Sequence, residues 1–572
     1  MKNYEVARLL REIGDLLELR DETGFKVAAY RKAARSLESM KDNVESVWSD
    51  GRLKSIPGVG KAIAKKIEEY LETGQIETHK RLVGAITPGL VELLQISGIG
   101  PKTVLLLHQK LNVSSIEDLE KAAREHQVRR LPRMGATSEN NILKAIERYR
   151  KRSDRIPLGV ALPLAEEILN YLGRIEGVEN LQVAGSLRRG RDTVGDIDVL
   201  ATSSSPQKVI DAFAKMPLVQ EVLWKGGTKA SVIAGDTIQV DLRIVDHRSF
   251  GTVLQYFTGS KDHNVKLRNL ALERGYSLSE YSLTRLRDDE ELFFDCEEDL
   301  YGRLGLPWIS PELREDRGEI EAALDGTLPR LVELSDIKGD LHVHSDWSDG
   351  KNSIEEMVEA AQALGYEYMA ICDHSPGLGI ASGLSIERLA EKIRTIRELN
   401  ETLEGFTLIA GTEVDIRADG RLDYPDEVLA ECDLVVAAIH SAYNQSERAI
   451  NSRIISAMEN EHVDIIAHPT GRKIGEREPY LVDVELILEA ALRTETIMEI
   501  NAHPVRLDLN DRWARRAKEI GVKVAINSDA HSIRGLKVMK FGVKTAQRGW
   551  LEPEDVANAS NLKELMKRLQ KR

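Results

Sequence analysis

The chain reads as a multidomain protein: α-helical helix-hairpin-helix domains first, an α+β domain in the middle, a distorted β/α barrel last. Three observations predict this. Two Gly-x-Gly turns, Ile56-Pro-Gly-Val-Gly-Lys61 and Ile96-Ser-Gly-Ile-Gly-Pro-Lys102, each precede a helix-like stretch. A Gly-Ser/Arg-Arg loop, Gly185–Gly190, leads into two aspartates one residue apart, Asp196 and Asp198, among apolar residues. After residue 336, short apolar runs end repeatedly in histidine or carboxylate, with helical segments between.

With 572 residues the chain exceeds one ordinary core, which favours three or four domains. Its 42% hydrophobic and 30% charged composition is that of a globular protein. No apolar run is long enough to span a bilayer, and the opening residues suit an amphipathic helix rather than a signal peptide. Cys296, Cys372 and Cys432 stand far apart with no Cys-x-x-Cys, so no disulfide framework or thiolate zinc site is expected, and a cytoplasmic location fits. The net charge of −14 is uneven. Residues 1–150 hold 26 Lys+Arg against 21 Asp+Glu, residues 151–336 hold 23 against 32, and residues 337–572 hold 30 against 40. The basic end is where a phosphate backbone would dock.

Along the N-terminal part, Leu9, Leu10, Ile13, Leu16 and Leu17 recur at helical spacing, and Gly24–Arg35 forms a second, cation-rich helix. Gly58, Gly60, Gly98 and Gly100 would let backbone N–H groups face a DNA phosphate at a helix N-terminus. A later segment, Leu131-Pro-Arg-Met-Gly-Ala-Thr137, lacks the second glycine and is expected to be an ordinary turn before a helix over 139–150.

In the middle part, Asp196 and Asp198 share a strand face because side chains alternate along a strand. Asp241, in the apolar stretch 237–245, adds a third acid. Three carboxylates together suit two Mg²⁺ ions and in-line phosphoryl transfer, and the small Gly185-Ser186 pair lets a phosphate approach. This pattern predicts a nucleotidyltransferase site.

Gly185-Ser-Leu-Arg-Arg-Gly190, Gly195-Asp-Ile-Asp-Val-Leu200 and Val240-Asp-Leu-Arg243 together resemble the palm of family X DNA polymerases, the group of DNA polymerase beta. The resemblance implies that Gly185, Ser186 and Arg189 hold the triphosphate of an incoming dNTP. It implies that Asp196 and Asp198 bind both metals and that Asp241 helps the one activating the primer 3′-OH. Tyr256-Phe-Thr-Gly-Ser-Lys-Asp-His-Asn264 is similar to the family's nucleotide-binding motif. There Tyr256 and Phe257 would pack against the sugar, Gly259 would permit a tight backbone, Asn264 would donate to the base edge and Arg268 would contact the template. Lys261 stands where DNA polymerase beta has an acid. The first hairpin domain of the family carries a Schiff-base lyase lysine, which corresponds to Lys66, with Lys61 and Lys65 available to lower its pKa. A further family lysine is Ala62 here.

In the last part, His342 and His344 lie on one face of a strand, with Asp349 in a turn. Further strand-like runs end at His374, Glu413, His440, His468 and Asp529-Ala-His531, so six strand ends repeat the pattern. A β/α barrel builds its site at such C-terminal strand ends. Imidazole and carboxylate without thiolate suit Mn²⁺, Zn²⁺ or Fe²⁺. The arrangement resembles the polymerase-and-histidinol-phosphatase (PHP) family. That resemblance implies nine ligands, His342, His344, Asp349, His374, Glu413, His440, His468, Asp529 and His531, for up to three ions. His462 and His503 are expected to be structural, and Arg472 to hold a phosphate.

The expected organisation is a lyase-like hairpin domain (1–81), a second hairpin subdomain (82–155), a palm (156–247), a nucleotide-binding subdomain (248–316), an acidic linker (317–336) and a PHP domain (337–572). The combination resembles prokaryotic family X polymerases with a C-terminal PHP domain. It implies a monomeric gap-filling repair polymerase acting on gapped or nicked DNA with dNTPs and no membrane partner, plus a Mn²⁺-dependent 3′–5′ exonuclease. Two other readings stay open: a DNA-end phosphoesterase whose polymerase half binds DNA, and a non-catalytic scaffold. Intact ligand sets argue against the scaffold.

Overall fold

The computed structural model describes residues 2–19, 24–38, 44–73, 75–84, 88–94, 96, 99–132, 134–152, 155–235, 238–377 and 381–569. Residues 1–154 and 155–572 form two compact units. None of the described helices is long and apolar enough to cross a membrane.

The first unit is helical. Its opening helix, Lys2–Leu19, buries Val6, Leu10, Ile13, Leu16 and Leu17 on one stripe. Against it packs Gly24–Glu38, through Val27, Ala33, Ala34 and Leu37. At ~1.5–3 kcal/mol per fully buried aliphatic side chain, this stripe outweighs any propensity term. The Gly58–Gly60 hairpin opens the helix Lys61–Thr73, and Gly100 caps Pro101–Leu111. Both hairpins close with the same backbone bond, Val59 N–H to Ile56 C=O (3.0 Å) and Ile99 N–H to Ile96 C=O (3.1 Å).

The segment expected to be an ordinary turn repeats that geometry. Met134 N–H donates to Leu131 C=O at 3.1 Å, and Gly135 precedes the helix Ala136–Arg152, just as Gly60 and Gly100 precede theirs. It is a third hairpin turn. Gly135 matches the second glycine of the other two turns, and the glycine without a counterpart is the first, Gly58, whose φ of +86° and whose closeness to Lys32 and Ala33 (2.8 and 3.0 Å from a Cβ there) call for glycine in that copy. The helix also starts three residues earlier than the sequence suggested.

The second unit begins with a five-stranded sheet in the order Val178–Val183, Ile197–Ser203, Ile238–Val245, Lys229–Ala234, Val219–Lys225. Strand Ile238–Val245 alternates strictly: Ile238, Val240, Leu242 and Ile244 are buried, while Gln239, Asp241 and Arg243 face the other side. The helix Leu158–Leu172 covers the apolar face. Next come the helices Phe250–Thr258 and Lys261–Glu273, and a three-stranded sheet of Tyr276–Leu278, Leu283–Arg285 and Glu290–Leu292. The second helix starts at Lys261, where the Ser260 hydroxyl accepts the His263 N–H (3.3 Å) and caps it.

The stretch expected to link two halves is packed. Ile320 and Ala323 join the core of the preceding subdomain, and buried Glu319 receives the His263 ring nitrogen at 2.7 Å. Val332 belongs to the barrel core.

The barrel has seven parallel strands in sequence order: Gly339–Val343, Tyr368–Ile371, Thr407–Asp415, Leu434–Ala438, Ile465–Ile466, Ile497–Asn501 and Val524–Asn527. A bridge between Val343 and Ala530 nearly closes it. The six strand ends identified from sequence miss the sixth strand, whose polar residues sit inside the run Ile497-Met-Glu-Ile-Asn501 rather than after it.

Palm and barrel share a dry seam. Leu507 and Phe541 of the barrel half join the palm core, and a Cβ on Gly159 would fall 2.3 Å from Pro504. Ion pairs Lys540–Glu166 (2.7 Å) and Arg317–Asp511 (3.0 Å) cross between the halves. Arg472, expected to hold a phosphate, is spent here instead. Its Nε and Nη2 donate to the carbonyls of Arg506 and Leu507, and its Nη1 to Asp192 of the palm (3.2 Å).

Candidate active sites

The palm acids converge. Strands Ile197–Ser203 and Ile238–Val245 run parallel with Asp198 directly opposite Asp241, and Asp196 immediately precedes the first of them. Gly185, with φ +64°, packs against this pair: a Cβ there would stand 2.7 Å from Asp198 Oδ2. Only glycine brings the loop so close to the acids. Ser231 Oγ and Gln239 Nε2 (3.2 Å) donate to Asp241 Oδ1, and Lys229 Nζ is 4.0 Å from Oδ2. Burial, then the charges of Asp196 and Asp241, push the Asp198 carboxyl up to about 7. Burial and Asp241 raise Asp196 as well. Carboxylates crowded this way lack positive charge, and an all-oxygen set fits Mg²⁺.

Beside the acids, Arg189 Nη1 donates to Thr258 C=O (2.5 Å) and Nε to Glu315 (3.0 Å). Ser186 lies on the short helix Gly185–Arg188. Tyr256 and Phe257 meet edge to face, ring centroids 5.2 Å apart. Arg243 covers Phe257 and Arg268 covers Tyr256. Asn264 Nδ2 donates to Tyr256 C=O and its Oδ1 accepts from Gln255, both at 2.8 Å, which fixes the bend at Gly259 (φ +68°). Behind this motif, buried Glu297 pairs with Arg188 (2.8 Å) and Arg314 (2.6 Å). That network left no signature in the sequence beyond charge.

In the first unit, a Cβ at Gly60 or Gly100 would meet nothing within 4 Å. Packing within the chain does not call for glycine at either position. Gly98 lies outside the described residues. Lys66, on Lys61–Thr73, is half-buried, and its amine makes no hydrogen bond or ion pair among the described residues.

At the barrel mouth all nine expected ligands meet. Three groups have ligand atoms within 4.8 Å of one another: His344, Asp349, His374 and His531; His342, His344 and Asp529; His374, Glu413 and His440. His468 Nε2 lies 3.3 Å from Glu413 Oε1. Glu413 is the hub. Its oxygens lie 2.8–3.6 Å from ring nitrogens of His342, His344, His374, His440 and His468. His342 Nε2, both His344 nitrogens and both Glu413 oxygens are buried with no hydrogen-bond partner. At ~1–3 kcal/mol per unsatisfied buried polar group, such a cluster is costly by itself, and its donor set could hold metal ions. His468 (φ +31°) and Asp529 (φ +53°) also hold left-handed backbone, a strain that concentrates at functional sites. Burial and neighbouring rings His531 and His374 lower His344 to about 4. For His440 burial lowers the pKa, but Glu413 and Asp415 overturn that and lift it to about 10.

The sequence reading missed Glu499. It is fully buried on the sixth strand, accepts from His342 Nδ1 (2.7 Å) and from Asn527, and takes the His468 N–H (2.7 Å). It therefore turns His342 Nε2 toward the cluster.

This chain thus combines a nucleotidyltransferase palm with a histidine-rich metal centre on a β/α barrel. Family models match in four places: a helix-hairpin-helix domain over 1–76, a SAM-like helix-hairpin-helix tandem over 90–148, a DNA polymerase beta thumb over 253–315 and a PHP domain over 340–503. The tandem match spans the third hairpin turn. The chain is 43% identical over 567 residues to the DNA polymerase/3′-5′ exonuclease PolX of Bacillus subtilis (strain 168), covering 99% of both proteins. It belongs to that family, the family X DNA polymerases with a PHP domain. It is also 32% identical over 203 residues to a "Probable phosphatase" of Thermoanaerobacter sp. (strain X514), 34% of this chain and 78% of that protein. Similarity to DNA polymerase lambda of Rattus norvegicus is 26% over 322 residues, 51% of this chain and 52% of that one.

Proposed function

We propose that this protein is a DNA-directed DNA polymerase that fills short gaps in DNA repair and carries a separate 3′–5′ exonuclease in its PHP domain. The observation that carries the polymerase reading is Asp198 opposite Asp241 with the Gly185 loop packed on them. Asp196, Asp198 and Asp241 would hold Mg²⁺, and the nine barrel residues Mn²⁺, Zn²⁺ or Fe²⁺. Ions in these two sites would supply, respectively, charge neutralisation for in-line nucleotidyl transfer and a water of lowered pKa for phosphodiester hydrolysis. The chain's own groups do the rest. Gly185, Ser186 and Arg189 bind the triphosphate. Tyr256 and Phe257, braced by Arg268 and Arg243, present a rigid wall to the sugar. Asn264 and Arg268 face the nascent pair and template. Gly58, Gly60, Gly98 and Gly100 offer N–H groups to DNA phosphates. The half-buried amine of Lys66, without a partner among the described residues, fits a Schiff-base lyase acting on a 5′ sugar-phosphate, which borohydride trapping on an incised abasic site would detect. The protein is read as a cytoplasmic monomer.

The test is a one-nucleotide-gapped duplex offered with and without dNTPs, in Mg²⁺ or Mn²⁺. Gap filling in Mg²⁺ and 3′ trimming in Mn²⁺ are expected. A protein that trims but never extends would leave the DNA-end phosphoesterase.

A further inference from the structure

Arg548 belongs to the PHP half but lies against the nucleotide-binding loop of the palm. It ends the helix Met539–Arg548, and its side chain is only 4% exposed. Nη1 donates to the Arg189 carbonyl at 2.8 Å and to Glu315 Oε1 at 2.9 Å, and Nη2 donates to Asp511 at 2.8 Å. Glu315 also accepts from Arg189 Nε and lies 3.5 Å from Arg191. The loop's last glycine, Gly190 (φ +66°), sits over the same helix, where a Cβ would fall 3.0 Å from Lys544 and 3.7 Å from Arg548.

This arrangement matters for a triphosphate. Arg189 has committed Nε to Glu315 and Nη1 to Thr258, which leaves Nη2 for a ligand. Glu315 is a poorly exposed carboxylate beside that guanidinium. It both draws on Arg189 and repels an incoming polyanion, unless another cation offsets it. Two cations do so: Arg191, 3.5 Å away and 37% exposed to screening solvent, and Arg548, which is 4% exposed, lies 2.9 Å away and pins the Arg189 backbone at the same time. We propose that Arg548 is a positioning residue for the polymerase reaction: it holds the loop and compensates Glu315 so that Arg189 can turn to the triphosphate. The PHP domain is then a structural part of the dNTP site. The inference rests on Arg189 as a triphosphate ligand.

The test uses the full chain on gapped DNA in Mg²⁺, with R189A, R548A, R548K, R548Q, E315Q and R548A/E315Q. Arg548→Ala should raise KM for dNTP about tenfold with kcat within about threefold, because ground-state binding is what is lost. Gapped-DNA affinity and Mn²⁺ nuclease activity should not change. Arg548→Lys should recover part of the loss, and the double variant should return KM to within about threefold of wild type, since a neutral amide no longer draws on Arg189. If Arg189→Ala raises KM but Arg548→Ala leaves it within about twofold, or if the double variant is as impaired as Arg548→Ala, the proposal is overturned. An unchanged KM in Arg189→Ala instead overturns the reading of the loop itself. Should Arg548→Ala lose nuclease activity through misfolding, Arg548→Gln, close to arginine in size but uncharged, decides, and an unaltered KM in that variant overturns the proposal.

Discussion

The palm and the barrel mouth both gather acids around a place for cations, yet they solve opposite problems. The palm uses three carboxylates and no imidazole, on the polar face of an open sheet, with Asp241 partly accessible. The barrel uses five fully or nearly buried histidines around one buried glutamate, with His531 and Asp349 at the rim. An open all-oxygen site can exchange hydrated Mg²⁺ along with substrate. A dry histidine cluster binds transition ions tightly and holds them between turnovers. Under the proposed function, one chain would run two phosphoryl-transfer reactions on different metals.

The strongest way to break this comparison is Asp198→Ala. Primer extension should fall about a thousandfold or more, with Mn²⁺ nuclease activity and DNA binding intact; near-normal extension would end the palm assignment. The reciprocal change, His440→Ala or His344→Ala, should cost about a hundredfold or more in nuclease activity and lower the bound transition metal, while extension in Mg²⁺ survives. Metal must displace a proton from His440, whose metal-free pKa is raised to about 10, so metal uptake should strengthen as pH rises from about 6 to 9. Full nuclease activity in His440→Ala would place hydrolysis elsewhere.

Glu499→Gln sharpens the comparison further. It removes only the carboxylate behind His342, so metal affinity, read by equilibrium dialysis, should drop about 10–100-fold. An unaltered affinity would reduce Glu499 to a packing residue.

A smaller effect concerns pH. The Asp198 carboxyl is raised in the fold, so its neutral form is favoured there. Its stabilising term is complete below about pH 4 and is lost as pH rises through about 7. Asp198→Asn should accordingly stabilise the metal-free protein at pH 8 by up to about 4 kcal/mol, do little at pH 4, and abolish stabilisation by Mg²⁺. Identical melting at both pH values would remove the crowded-carboxylate account. The least dramatic change is expected at the hairpins. A Cβ at Gly60 or Gly100 meets nothing within 4 Å, so valine there should weaken gapped-DNA binding about tenfold (~1.4 kcal/mol) without loss of helix content.

Much of both sites was legible before any coordinates. The i, i+2 spacing of Asp196/Asp198 and of His342/His344 states which side chains share a face, because strand periodicity is local. Likewise the two Gly-x-Gly turns, the Tyr256–Asn264 motif and the polar ends of the barrel runs are adjacent in sequence and need no fold to be read. The third hairpin turn was missed because it keeps only the glycine before the helix, Gly135, and its closing bond from Met134 to Leu131 is not written in the sequence. Tertiary structure alone decided that Asp241 stands opposite Asp198, that Glu499 lies behind His342, that Arg472 is spent on carbonyls, and that Arg548 reaches Glu315 and Arg189. The physical reason is that these depend on strand register and on which charges the packing takes out of water. Those are set by contacts between residues as far apart as Arg189 and Arg548, and no local pattern encodes them.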